Sequence, residues 1–423
     1  MIVVDKHQQL GWVTRIYIFL FVLVMYSGST FISNYVMELE CVMIFLLFLT
    51  TKIKEIKKSS NINKIDTLPV LITVIIIFYM LAVLKHSYSC TTSLVFIYRF
   101  IAYSLFLIFI SQIEINYQII KICKYYALIV AVSIITTTIF YGARSGGLVG
   151  DFQYAGILMS LTVGIYLAEY YYEKSYLNVI GLVFVFIALF MSGKRMLSFI
   201  ALFGYFVIYI TTSGKGKKRK FILLSICLIC IIGLAYLIFP EARELVYRLN
   251  EYSADTTFNG RIYFWHAAID IWKHNKIFGI GMGTFSDYFD KYYHRIGNME
   301  AYDAHNIYLQ LIAETGIVGF SLFILLFITS LVKTIRLFFI KKIREHKQMG
   351  IILTYSLYTQ IWFILYGLTG NPLYSAVEFY IYITAVSMML SIKIVIKRKS
   401  IEIYTDRENK LVGRAQCKGL SVN

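Results

Sequence analysis

Apolar runs long enough to cross a lipid bilayer recur along most of the chain, and they restrict its fold more than any other feature. A helix needs about 20 apolar residues to span the hydrocarbon core. The composition agrees, because 58% of the 423 residues are hydrophobic and 15% are charged, whereas about a quarter are charged in soluble domains. The sequence therefore predicts an all-α polytopic membrane protein and excludes a single soluble domain.

The apolar runs divide the chain into twelve predicted transmembrane helices. They cover approximately residues 16–32, 34–51, 67–84, 93–112, 122–141, 153–170, 176–192, 196–212, 221–239, 307–332, 349–368 and 376–396. Four parts follow from this division. Residues 1–239 hold helices 1–9, residues 240–305 form one long outer loop, residues 306–396 hold helices 10–12, and residues 397–423 are a basic tail.

The distribution of Lys and Arg predicts the orientation of the chain. The formal net charge is +17, and the basic clusters KIKEIKK, GKGKKRK and KKIREHK all fall in loops on one side of the predicted spans. Cytoplasmic loops of membrane proteins carry this excess. We therefore expect both termini and the basic tail to be cytoplasmic, the clusters to act as topology signals, and nucleic acid not to be a partner.

The loop of residues 240–305 is the only long hydrophilic segment between spans, and long ordered loops usually carry functional sites. Its segment RIYFWHAAIDIW has apolar residues at helical spacing, namely Ile262, Trp265, Ile269 and Trp272. This spacing predicts an amphipathic helix at the membrane surface, opened by Asn259-Gly260-Arg261 and capped by Asn259 or Thr257.

Two arginines on the outer side are candidate anion ligands. Arg261 is predicted to begin the amphipathic helix, where a guanidinium and the helix dipole would both favour a phosphate; the alternative is a solvated surface residue. Arg195 follows Lys194 in the very short turn Ser192-Gly193-Lys194-Arg195. It either snorkels to the interface or faces a substrate path in the bundle.

His305 is a candidate general base, because a near-neutral imidazole can accept a hydroxyl proton and because it stands at the mouth of a predicted span. The nearby glycine run of residues 279–285 fits neither a phosphate-binding loop nor a dinucleotide fingerprint. It is better interpreted as a tightly bent structural segment.

Ionisable residues also occur inside predicted spans: Arg99, Glu38, Glu40 and Glu378. They either pair with one another or line a common cavity, and the sequence leaves both interpretations open. No group of residues has metal-ligand spacing, and the outer loop has no Asp-x-Asp motif. We therefore predict no metal and no cofactor, and a bound diphosphate would have to be neutralised by arginines.

Several of these motifs, taken in order, resemble the O-antigen ligase and O-antigen polymerase family of bacterial envelope proteins. His305-Asn306, followed at the family's spacing by Gly316 and Gly319, resembles the histidine motif of that family. Asn259-Gly260-Arg261 with the glycine run is similar to its outer-loop signature, and the turn ending at Arg195 is similar to its Ser/Thr-x-x-Arg turn. The resemblance covers the topology and, in detail, about residues 190–332. Lys194 departs from the small or hydroxyl residue that the family often has there.

The resemblance implies a metal-independent, inverting glycosyl transfer at the outer face of the bacterial cytoplasmic (inner) membrane. The donor is an oligosaccharide linked to undecaprenyl diphosphate, and the acceptor is a lipid-linked repeat unit or lipid A–core. By position, Arg195 and Arg261 would bind the diphosphate and His305 would be the base. Supporting roles are expected for Lys194, Asn306, Glu314 and Arg99. Membrane lipids and a chain-length regulator are the further partners implied.

Within this family a polymerase of O-antigen or capsule repeat units and an O-antigen ligase need the same donor site. The excess of Ile, Lys, Tyr and Phe suits an A+T-rich surface-polysaccharide locus and favours the polymerase. A transporter of lipid-linked sugars is the alternative from another class. It predicts a midplane cavity lined by Arg99 and Glu38, whereas a transferase predicts that Arg195, Arg261 and His305 meet at the outer boundary.

Overall fold

The computed structural model describes residues 67–111, 117–141, 145–212, 256–293 and 303–392, except 341–342, 344–345 and 376. The predicted spans 16–32, 34–51 and 221–239, the tail 397–423, and Glu38 and Glu40 lie outside the described residues.

The described residues form eleven α-helices. They are α1 (Thr67–Val83), α2 (Cys90–Ser111), α3 (Tyr117–Tyr141), α4 (Phe152–Glu173), α5 (Tyr176–Met191), α6 (Arg195–Thr212), α7 (Thr256–His274), α8 (Phe285–Tyr292), α9 (Ile307–Phe338), α10 (Lys347–Tyr366) and α11 (Val377–Ile392). Short 3₁₀ turns occupy Leu84–His86 and Gly147–Val149.

The helices have the apolar character of a membrane protein. Five of those in the described part of the chain, α1, α2, α3, α9 and α10, are long and apolar enough to cross a bilayer, and α5, α6 and α11 are shorter apolar helices. The expectation of an all-helical membrane protein is confirmed. In the described residues, helix bounds agree with the predicted spans to within about six residues, because each apolar run there forms one helix.

Helix α4 lies at the centre of the bundle and is buried from Ala155 to Glu169. Helices α3, α5, α6 and α10 pack around it. Close packing depends on small residues, since a side chain at Gly164 would overlap the ring of Tyr358. The hydroxyl of Tyr358 donates a 2.6 Å hydrogen bond to the carbonyl of Ser160, and Trp362 Nε1 donates to the Ser160 hydroxyl at 2.9 Å. These bonds join α10 to α4 inside the apolar core.

Described residues at the two ends of the bundle make separate sets of contacts. At the end predicted to be cytoplasmic, Lys347 at the start of α10 pairs with Glu173 at the end of α4, with 3.1 Å between Nζ and Oε1. At the opposite end, predicted to be the outer one and called the outer end below, the N–H of Tyr88 donates to the carbonyl of Ile280 at 2.7 Å, and the Thr92 hydroxyl donates to Asp287 Oδ2 at 2.7 Å. The outer loops therefore form one layer over the helix ends.

Helix α9 is interrupted at Gly316, where the backbone has φ 60° and ψ −171°. The carbonyls of Ala313 and Glu314 accept from the N–H groups of Ile280 and Gly281 at 3.2 and 2.8 Å. Below the break, the N–H of Ile317 donates to the carbonyl of Lys276 at 2.9 Å. The outer loop thus supplies the hydrogen bonds that the helix loses, which is how a broken helix is tolerated in a membrane protein.

The interruption at Gly316 divides α9 into a long segment that can cross the membrane and a short segment above it. Residues 317–338 correspond to about 33 Å of helix at 1.5 Å per residue, close to the thickness of the hydrocarbon core. Residues 307–315 lie above that length and extend the helix into the layer of outer loops. His305 stands directly before this extension.

Candidate functional site

His305 has a left-handed backbone conformation, with φ 48°. This conformation is uncommon for a residue with a side chain and is found more often at functional positions. Among the described residues only one other non-glycine residue, Lys174, has a positive φ, and Lys174 is an ordinary left-handed cap that ends α4. The backbone of His305 is instead held by contacts made by its neighbours.

Hydrogen bonds hold the chain on both sides of His305. Trp265 Nε1 donates to the carbonyl of Ala304 at 2.9 Å. Asn306 caps α9, since its side-chain oxygen accepts from the N–H groups of Tyr308 and Leu309 at 3.0 and 3.2 Å. The N–H of Ile307 donates to the carbonyl of Gly367 at 2.8 Å. The imidazole is therefore presented from a rigid frame, with the Phe264 ring 6.3 Å away between centroids.

The charges around His305 favour the neutral imidazole. Burial is the largest cause that lowers the pKa of His305 below its usual 6.5, and the positive charges of Arg261 and Lys194 lower it further. Asp303 acts in the opposite direction. A lowered pKa leaves the ring unprotonated at neutral pH, which is the form that a general base needs.

Arg261 lies on α7 and is partly buried. The helix begins at Thr256 rather than at the predicted Asn259-Gly260-Arg261. Arg261 therefore lies beyond the first helical turn. The prediction that the helix dipole strengthens anion binding at Arg261 is wrong, because the dipole acts within the first turn. The positive charge of Arg261 still interacts electrostatically with His305 and with Tyr366 at the outer end of α10.

Lys194 and Arg195 lie in the predicted tight turn between α5 and α6. Lys194 Nζ donates to Gln153 Oε1 at 3.2 Å and lies 4.6 Å from the centroid of the Phe152 ring. The backbone of Arg195 begins α6, while its side chain lies outside the described residues. The positive charges of Lys194 and Arg261 thus both act on His305.

The glycine run of residues 279–285 is the bent segment that pairs with α9 at its interruption. Gly279, Gly281 and Gly283 all have positive φ. The buried carboxylate of Glu314 binds this segment, accepting from the N–H of Gly283 at 2.7 Å and of Phe285 at 2.9 Å. Gly316 belongs to the same contact, since a side chain there would overlap the carbonyl of Ile277.

Three polar residues near His305 had no distinguishing spacing in the sequence. Gln310 Oε1 accepts from the N–H of Ala304 at 3.0 Å and from Asn371 Nδ2 at 2.7 Å. The hydroxyl of Tyr374 donates to Glu314 Oε2 at 2.7 Å. The only available sequence signal was that Gln310 is a polar residue in an apolar run.

Arg99 lies farther from this layer than the other predicted site residues. It is near the middle of α2, about 13 Å along the helix from Cys90 at 1.5 Å per residue, and it is partly buried. In the part of the chain that the structure describes, no three His, Cys, Asp or Glu side chains come close enough to hold a metal ion.

Comparison with known proteins places the site within a recognised domain. Residues 180–324 match the model of the family described as O-Antigen ligase, whose members are glycosyltransferase-like membrane enzymes of polysaccharide biosynthesis. No curated protein matches the chain. The matched residues include Arg195, Arg261 and His305. Over residues 180–324, the match agrees with the resemblance of the motifs to the O-antigen ligase and polymerase family.

Proposed function

We propose that the protein is a polymerase of polysaccharide repeat units linked to undecaprenyl diphosphate, acting at the outer face of the bacterial cytoplasmic membrane. In this proposal the full chain has twelve spans and both termini are cytoplasmic. The observation that carries the proposal is that His305, held in a left-handed backbone conformation by the hydrogen bonds of its neighbours, is exposed to the positive charges of Arg261 and Lys194, which lower its pKa. A lipid diphosphate inserted in the outer leaflet would present its charge at the level of these residues.

The proposed reaction needs a base and a site for the leaving group. His305 accepts the proton of the acceptor hydroxyl, whose oxygen attacks the anomeric carbon of the donor with inversion. The bond from that carbon to the phosphate oxygen breaks, and its electron pair leaves on undecaprenyl diphosphate. Arg195 and Arg261 stabilise the charge that develops there, with Lys194 in support. The donor is already activated, so no further co-reactant is required.

Ligation to lipid A–core is the second candidate function, favoured by the description of the matching family as O-Antigen ligase. Both reactions use the same donor and the same base. They differ in the acceptor, which is a lipid-linked repeat unit for a polymerase and lipid A–core for a ligase.

The test is complementation of a host strain that lacks the gene, with the surface glycan separated by gel. The variants are His305→Ala, Arg261→Ala and Arg195→Ala, each checked for its level in the membrane. His274→Ala and Lys273→Ala are matched controls, because both residues are exposed on α7. We expect the controls to restore normal glycan and the site variants to behave as the null strain.

The phenotype of the null strain distinguishes the functions. A polymerase predicts lipid A–core capped with a single repeat unit. A ligase predicts core without repeats and long chains that accumulate on undecaprenyl diphosphate. Normal glycan from well-expressed site variants would contradict the catalytic assignment and favour the transporter.

A further inference from the structure

Gln310 is a buried residue whose amide group is fully used in hydrogen bonds. It is 2% exposed. Oε1 accepts from the N–H of Ala304 and from Asn371 Nδ2, at 3.0 and 2.7 Å. Nε2 lies 3.4 Å from Asp303 Oδ1 and 3.3 Å from Glu314 Oε1. A primary amide offers two acceptor positions and two donors, so each of its capacities has a partner.

Two of these partners are the residues directly before His305. Gln310 binds the N–H of Ala304, while Trp265 binds the carbonyl of the same residue. The peptide groups that enter His305 are therefore fixed from α9 and from α7. Left-handed backbone is strained for a residue with a side chain, so this conformation of His305 persists only where its surroundings impose it.

The other two partners join the histidine segment to the rest of the outer layer. Asn371 belongs to the connection between α10 and α11, whose Gly367 also accepts from the N–H of Ile307. Glu314 binds the glycine segment. Through one side chain, the segment before His305 is linked to both neighbouring parts of the layer.

We propose that Gln310 is a positioning residue of this site, which holds the backbone of residues 303–305 so that His305 faces the acceptor hydroxyl. The inference rests on the proposed function and adds a residue that acts through His305 rather than on substrate. Its contacts fix the base and not the donor, so its loss lowers kcat and leaves the KM for the lipid-linked donor nearly unchanged. A misplacement of about 1 Å at a reacting group lowers the rate by up to about a hundredfold.

The test measures glycosyl transfer by the purified full chain in proteoliposomes, with a lipid-diphosphate-linked repeat unit as donor and acceptor. Gln310→Ala is compared with Gln360→Ala. Gln360 is a matched control because it is also a buried glutamine, but its amide bonds Thr334 and Ser356 inside the helix bundle. Rates are expressed per folded molecule, after thermal unfolding and gel filtration of each variant.

We expect Gln310→Ala to lower kcat by about 10- to 100-fold with a donor KM within about threefold of wild type, and Gln360→Ala to keep both constants. A kcat for Gln310→Ala equal to wild type per folded molecule would overturn the inference. So would a loss of kcat of the same size in Gln360→Ala, since the effect would then be that of any buried glutamine.

Gln310→Glu gives a second readout. Its carboxylate keeps the acceptor role toward Ala304 and Asn371 but faces the carboxylates of Asp303 and Glu314, the latter also bound by Tyr374. Protonation restores a donor, so the rate relative to wild type should rise as the pH falls. A ratio independent of pH would count against the positioning role.

His305→Ala separates failure of this inference from failure of the proposed function. If His305→Ala is inactive while Gln310→Ala is fully active, only the positioning role is wrong. If His305→Ala is itself active, the proposed base is wrong.

Discussion

The carboxylate of Glu314 accepts a 2.7 Å hydrogen bond from the backbone N–H of Gly283, and so binds the outer loop to helix α9. Glu314 is fully buried and also accepts from the N–H of Phe285 and the hydroxyl of Tyr374. The family resemblance of the sequence implies a supporting role for Glu314 in the site. The structure gives it contacts to the segment that supports the site.

Glu314→Ala should therefore destabilise the protein. Removal of the carboxylate leaves buried donors unsatisfied, each at about 1–3 kcal/mol, so we expect at least about 2 kcal/mol in total. Thermal unfolding in detergent checks this. Asp287→Ala is the control, because Asp287 bonds Thr92 on the exposed side of α8; equal Tm values for the two variants would contradict the role of Glu314.

The pKa of His305 should respond to Arg261. Positive charge beside an imidazole disfavours its protonated form, and Arg261 accordingly lowers the pKa of His305. Arg261→Ala should raise that pKa, so the neutral base is lost at a higher pH as the solution is acidified. Histidine-labelled NMR titration measures this without turnover, with the His305 signal assigned by its absence in His305→Ala.

Wild-type activity should follow the same titration. Because the pKa of His305 is below 6.5, the rate is at its maximum near neutral pH and falls only as the pH drops through that lowered pKa. The exposed His274→Ala should leave the acid limb in place. An acid limb well above pH 6.5 would show that another group controls it.

Gly316→Ala tests the interruption of α9. A methyl group at Gly316 would overlap the carbonyl of Ile277 in addition to being strained at φ +60°. Gly150 also has a positive φ, +79°, but a methyl group there would meet no atom within 4 Å, so Gly150→Ala reports the cost of a side chain at a positive φ without an overlap. We expect Gly316→Ala to lower the Tm clearly more than Gly150→Ala, whereas similar values would mean that the close approach contributes nothing.

A buried ion pair holds the opposite end of the bundle. Lys124 Nζ on α3 contacts Glu169 Oε2 on α4, and Glu169 Oε1 accepts from the Tyr117 hydroxyl at 2.5 Å. Removal of one partner of a buried pair typically costs about 3–5 kcal/mol, while apolar replacement of both is far milder. Lys124→Met should thus be less stable than the double variant Lys124→Met/Glu169→Met, as measured by thermal unfolding.

Lys121→Met is the control for the ion pair. Its ammonium lies 5.0 Å from the centroid of the Tyr117 ring, a contact worth about 0.5–1 kcal/mol at an exposed site. A double variant that is no more stable than Lys124→Met would show that the pair is not the source of the effect.

Much of the helical framework could be predicted from hydropathy. Apolar runs such as residues 67–84 and 176–192 became Thr67–Val83 and Tyr176–Met191, because a span is determined by its own composition. The amphipathic helix α7 was also predicted from its own residues, but the predicted start at Asn259-Gly260-Arg261 lies after the observed start at Thr256. No local signal marked Thr256, whose helical turn precedes the apolar pattern.

The polar contacts around His305 were not predictable in the same way. Gln310, Asn371 and Tyr374 have no spacing that relates them, and they meet only because α9, α10 and α11 pack together. The glycines were recognised as a bend, but their partner was not. The pairing of residues 276–281 with residues 313–318 is a tertiary contact, which periodicity in one segment does not indicate.

The exchange of hydrogen bonds at Gly316 has a consequence for biogenesis. Residues 276–281 leave the ribosome before their partners in α9, and Asn371 and Tyr374 are made later still. The segment before His305 therefore acquires its full set of contacts only when the connection between α10 and α11 has been synthesised. A chain interrupted before Asn371 would contain the histidine and both arginines, yet would lack the hydrogen bond that Asn371, in the connection between α10 and α11, donates to Gln310, which holds the segment before His305.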